Sequence, residues 1–215
     1  MLKITTLALS SALLLGSAAH AHEVWLERDG AGPARVYLGE PAEPAPPNGD
    51  PEFPKLKAPV VFTTDSAAPA ALTRKADHIE AAIKTPGDVR AQDSNVFDPW
   101  TGEGDKLEGA AYYARAGRTE TATKLDLEIA PVAAGSDTFV VVWKGQPLAD
   151  ASVNIVNPDR WQKSFKTDAS GKVAVPTTLS GRYLLAVSHP VEGEATVAGK
   201  AVTKVYHTST LTFVK

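Results

Sequence analysis

The chain has 215 residues, 22 basic against 25 acidic, five histidines, no cysteine and a formal net charge of −3. The missing thiols exclude disulfides, thiolate metal ligands and cysteine nucleophiles together. Mild acidity without basic clusters argues against nucleic acid as a partner, because phosphate binding needs concentrated positive charge.

Met1-Leu2-Lys3 is followed by an apolar run from Ile4 to Leu15 and by small residues at 16–19, the form of a bacterial secretory signal. The run is short for a membrane span, and no later segment approaches the ~18 consecutive apolar residues a spanning helix needs. The expectation is a cleaved signal peptide over 1–21 and a mature periplasmic chain without a membrane span. Removing that segment, which carries Lys3, takes the net charge to −4.

Val24 to Leu38 reads as two short strands, "EVWLER" and "ARVYLGE", around the Gly-rich turn "DGAGP". Pro41 to Pro59 holds seven of the sixteen prolines, a density that forbids a helix or central strand and predicts an extended surface loop. Short apolar stretches follow in "VVFTT", "DVRAQ" and "EGAAYYARAG", while "ADHIEAAI" fits a helical turn or a strand equally. "TKLDLEIAP" alternates, with Leu125, Leu127 and Ile129 expected inward and Lys124, Asp126 and Glu128 outward. Beyond Pro131 the pattern is one of short strands: "DTFVVVWKG", then "ASVNIVNP", then "KSFKTDASGKVAVP" as a hairpin with Ser-Gly at its tip. "SGRYLLAVSH" and "KVYHTSTLTFV" complete the series. The expected fold class is all-β, two antiparallel β-sandwich domains of Ig-like or transthyretin-like type, over 22–130 and 131–215.

"GQPLADASVNIVNPD", "FKTDASGKVAVP" and "SGRYLLAVSH" resemble the carboxypeptidase-regulatory-like (transthyretin-like) sandwich over roughly Asp137 to Phe213. That resemblance implies a fold and no catalysis, since such modules are usually accessory. "AHEVWLERDG", "YYARAG" and the closing "LTFV" resemble the Domain of Unknown Function 4198 family. This second resemblance implies a periplasmic protein linked to nickel or cobalt uptake.

With no thiol, a metal site must rest on imidazole, carboxylate and main-chain nitrogen. Cutting after Ala21, with Ala19 and Ala21 at the recognition positions, leaves His22 as residue one. Its α-amine and ring can chelate an ion, and a further histidine would complete a three-nitrogen brace suited to Cu(II). Cutting after Ala19 instead leaves His20-Ala21-His22, a terminal square-planar chelate for Cu(II) or Ni(II). His189 ends one strand and His207 lies inside the last. If the two strands pair as a hairpin with position numbers summing to about 396, His189 faces His207 with Cβ atoms roughly 4.5–5.5 Å apart. His22, His189 and His207 are therefore the candidate metal ligands. His78, beside Asp77 and Glu80, and Glu23, on the opposite side of its strand from His22, are weaker ones.

No nucleophile, zinc-protease or phosphate-loop motif occurs, so no catalytic residue is expected. The expected function is a metal carrier or accessory factor for copper or nickel/cobalt, working with a membrane metal transporter or an outer-membrane receptor. The alternatives are a metal-independent adhesion, scaffold or ligand-binding sandwich and an oxidative copper enzyme built on a histidine brace. Trp25, Trp100, Trp143 and Trp161 can line a sugar or peptide groove, although core and rim positions are the commoner use of such residues.

Overall fold

The computed structural model describes residues 22–215; the expected signal peptide and His20 lie outside the described residues. The described chain is all-β, with sandwich layering. Its first half supplies β1 (Glu23–Arg28), β2 (Ala34–Gly39), β3 (Val60–Phe62), β4 (Leu72–Arg74), β5 (Ile79–Ala81), β6 (Val89–Asp93), β7 (Trp100–Thr101) and β8 (Leu107–Ala116). The second supplies β9 (Leu127–Pro131), β10 (Thr138–Trp143), β11 (Gln146–Pro147), β12 (Ser152–Val156), β13 (Gln162–Lys166), β14 (Lys172–Ala174), β15 (Arg182–Val197) and β16 (Lys200–Val214).

A central sheet in the order β13-β12-β15-β16-β8-β6-β3, with β7 added on β8, draws strands from both halves. Its seam is a parallel pairing of β8 with β16, from Glu108 opposite Lys204 to Ala116 opposite Thr212. β8 is buried on both faces, which explains its run of small and aromatic residues. Ala111 and Tyr113 point into one core, with Leu127, Ile129, Phe139, Leu185 and Phe213. Ala110, Tyr112 and Ala114 point into a second, with Val24, Leu26, Val36, Ile79 and Leu56. The first core is closed by β9, β10, β11 and β14, the second by the four-stranded sheet β1-β2-β5-β4. The division expected at 130/131 falls inside β9, whose partner is β10.

Three local expectations take a definite form. "ADHIEAAI" is strand, its Ile79–Ala81 stretch lying between β2 and β4. The proline-rich segment is a surface loop except where Phe53 and Leu56, in and after a short 3-10 turn, anchor it in the second core. "KSFKTDASGKVAVP" is not a hairpin: β13 pairs with β12 in the central sheet, whereas β14 pairs with β10 in the opposing one. Asp168 Oδ1 accepts from the backbone N–H of Ser170 and Lys172 and closes the turn. The chain leaving that turn crosses to the opposing layer, where β14 pairs with β10 and turns Val173 into the first core.

Glu128 corrects another expectation. Its alternation placed it outward, yet it is fully buried, accepting from Arg90 Nε at 2.9 Å and Arg115 Nη1 at 2.7 Å. Asp88 takes the other end of Arg115 at 2.6 Å, and the backbone of Lys124 and Leu125 donates to Glu128. A strand facing a covered layer can bury a charge when partners satisfy it, so alternation alone misplaces such a residue.

Candidate functional site

The longest hairpin, β15–β16, turns on Ala198 and Gly199, both at positive φ, the geometry of a two-residue hairpin turn. From that turn the register runs without a break between Arg182/Val214 and Glu192/Lys204, and shifts by one residue at a bulge around Gly193 and Glu194. Within the unbroken stretch His189 stands directly opposite His207. The expected juxtaposition is therefore present.

Both rings close on Trp143 of β10. The indole lies 5.0 Å from the His189 ring and 4.5 Å from the His207 ring, centroid to centroid. Tyr113, from the neighbouring β8, stacks on His207, and its hydroxyl lies 3.2 Å from His207 Nδ1. When Nδ1–H donates to that oxygen, Nε2 keeps a free lone pair, the orientation an outer partner gives a metal-binding histidine. A cavity of about 310 Å³ opens beside His207, lined also by Tyr113, Trp143, Lys144 and Glu194; His189 does not line it.

Burial pushes the His207 imidazole down to about 4, against a smaller upward pull from Asp126 and with further lowering by Lys144 and His189. Burial also lowers His189. Both rings are thus held neutral at neutral pH, the form a metal ion requires of imidazole.

His22 is elsewhere. It precedes β1, whose Val24 and Leu26 point into the second core, and its ring packs edge-on to Phe97 at 6.3 Å. His207 shares its strand face with Val205, Leu211 and Phe213, which belong to the first core. The central sheet separates the two. His22 Nε2 instead meets Asp50 Oδ1 at 3.2 Å. His78 packs at a tilt on Tyr37, 5.4 Å between ring centroids, and pairs through Nδ1 with Asp77 at 2.7 Å. Glu23 carries a buried Oε2 without a hydrogen-bond partner, and burial pushes its carboxyl up to about 8. Among the described residues no three or more His, Asp or Glu side chains gather as a metal-binding group.

Sequence reasoning missed Tyr113 and gave Trp143 no role at the pair. Register alone places histidine against histidine, but the parallel neighbour β8 and the facing layer β10 come from distant sequence and leave no local signal. No family model matches the chain, and no curated protein matches it.

Proposed function

We propose that this is an exported transition-metal-binding protein, a carrier or accessory factor in metal uptake or homeostasis, that holds its ion between His189 and His207. The single observation that carries this reading is the opposed pair of neutral imidazoles, one of which, His207, opens on a cavity. Imidazole donors suit copper, nickel, cobalt and zinc, and affinity rises toward copper. Two protein nitrogens leave the other positions to water or to a partner's ligands, which suits an ion that must be handed on. The secretory form of 1–21 and the resemblance of "AHEVWLERDG" and "YYARAG" to a metal-uptake-associated family support the same reading. The geometry does not favour a three-histidine brace with His22.

Titrating the purified protein with Cu(II) and with Ni(II) tests it. One ion should bind per chain, and His189→Ala and His207→Ala should each weaken binding at least tenfold, while His22→Ala leaves it unchanged. Binding that survives both strand variants but is lost in His22→Ala would place the site at the chain's start and overturn the assignment.

A further inference from the structure

Trp25 leaves β1 on the side opposite Val24 and Leu26, and with Ala42 it packs on Val156, Leu184 and Ala186 of the central sheet. A cleft lies here, between the outer face of the four-stranded sheet and the β12–β15 flank of the central one. One lobe, of about 250 Å³, is lined by Glu23, Asn154, Gln162 and Leu184. The other, of about 330 Å³, is lined by Trp25, Tyr37, Asp77 and Arg160. Glu40, Pro41 and Glu43 line both, so the lobes adjoin along the start of the proline-rich loop.

The floor of the larger lobe is aromatic. Trp25 and Tyr37 are cross-strand partners whose rings stack at 5.3 Å with 17° between planes, and His78, just before β5, extends the row. The lining is otherwise acidic, with Glu23, Glu27, Glu40, Glu43, Asp50 and Asp77 against a single cation, Arg160. Several of these acids are already engaged: Glu27 pairs with Arg35 and Arg182, Asp50 with His22, and Asp77 with His78. Glu23 is not. Its Oε2 is closed off from solvent and has no donor, an arrangement buried polar groups rarely adopt unless something else supplies the bond. Glu23 and Trp25 are two residues apart on one strand face, about 7 Å along the strand.

We propose that this cleft binds a small organic cation, an alkylammonium or guanidinium compound. Its charged head would donate to Glu23, which releases its proton to solvent as the cation arrives, and its carbon chain would lie on the Trp25–Tyr37 floor. Aromatic faces attract such cations as well as covering their apolar carbons. The excess of carboxylates disfavours anions and leaves a neutral sugar without its charge advantage. Each lobe by itself lies near the lower end of the ~300–1,000 Å³ range of small-molecule sites, so the ligand is small. The cleft is separate from the histidine pair, and its test does not depend on metal binding.

Isothermal titration in chelator-treated buffer with 1,4-diaminobutane, its neutral counterpart 1,4-butanediol and glucose decides the matter. The diamine should bind saturably at one per chain, and the diol and glucose at least tenfold more weakly. Glu23→Gln and Trp25→Ala should each weaken the diamine at least tenfold with an unchanged far-ultraviolet circular dichroism spectrum. Trp25→Phe, which keeps an aromatic floor, should retain most of the affinity. A capped Gly-Lys-Gly peptide separates the sources: binding as tight as the diamine's identifies a basic side chain as the ligand, and its failure identifies a free amine. Absence of saturable diamine binding, equal binding of the diol, or an unaltered affinity in Glu23→Gln each overturns the proposal.

Discussion

Packing His207 between Tyr113 and Trp143 penalises its charged form more than its neutral one, so the folded imidazole titrates near 4 and not at its ordinary 6.5. Between those values the unfolded chain binds a proton that the folded chain does not. Stability from this group is therefore complete above about pH 6.5 and falls as the pH drops toward 4. Urea midpoints measured across that window should fall less steeply in His207→Asn than in the parent, and an equal slope would show that another group governs the loss. Asp88 acts at lower pH. Burial raises its carboxyl, but hydrogen bonds from Thr119 and Arg115 outweigh burial and leave it lowered. Its contribution is present above the ordinary aspartate value and is lost as the pH falls through the depressed one. Glu128 is the acceptor that two fully buried arginines share. Glu128→Ala takes one carboxylate from each, leaving Arg115 with Asp88 and Arg90 with Glu120, and should cost about 3 kcal/mol in urea unfolding. A loss below 1 kcal/mol would mean that Asp88, Glu120 and the surrounding carbonyls satisfy the arginines unaided.

At the scale of elements, the four-stranded sheet is fastened to the central sheet by two hydroxyls. Thr210 donates to the Val24 carbonyl at 2.8 Å, and Thr212 donates to that of Leu26. These carbonyls belong to β1, the edge of its sheet, so the threonines occupy positions that a neighbouring strand would otherwise fill. Thr210→Val keeps the shape and leaves the Val24 carbonyl buried without a donor, at a cost of about 1–3 kcal/mol. Hydrogen exchange of β1 and β2 amides should accelerate in this variant more than exchange in β10. Uniform acceleration throughout would indicate global destabilisation and no local fastening. The β15–β16 hairpin illustrates what local sequence can specify. Ala198-Gly199 sets the turn and the pairing next to it, Val197 against Lys200, and the bulge at Gly193-Glu194 then shifts the register by one residue and brings His189 against His207 and not Thr208. "KSFKTDASGKVAVP" has an equally good turn and yet joins two sheets. A tight turn specifies reversal of the chain and leaves the layer of the next strand open.

For the whole molecule, the parallel seam between β8 and β16 makes the two halves of the chain interdependent. The first core takes Phe62 and Tyr113 from one half and Phe139, Leu185 and Phe213 from the other. A fragment of residues 131–215 loses β8, β9 up to Ala130, and with β8 the Tyr113 ring that stacks on His207. It should give a collapsed amide proton spectrum, whereas 22–215 should unfold in one transition with coincident fluorescence and circular dichroism. A fragment with native-like dispersion would show that the C-terminal sandwich does not need the seam.

The sequence by itself determined the all-β class, most strand positions and the proline-rich loop. Each is written in local periodicity, turn chemistry or residue spacing, and needs only the geometry of one or two neighbouring strands. Tertiary structure alone decided that one sheet spans both halves and that Glu128 is buried among arginines. It also set His22 on the far side of the sheet from His189 and His207, and brought Trp25, Tyr37 and Glu23 to a single cleft. Those outcomes depend on which sheet face each strand presents and on what packs there. Neither quantity appears in a chain read one strand at a time, because burial is a property of the partners a residue meets and not of the residue itself.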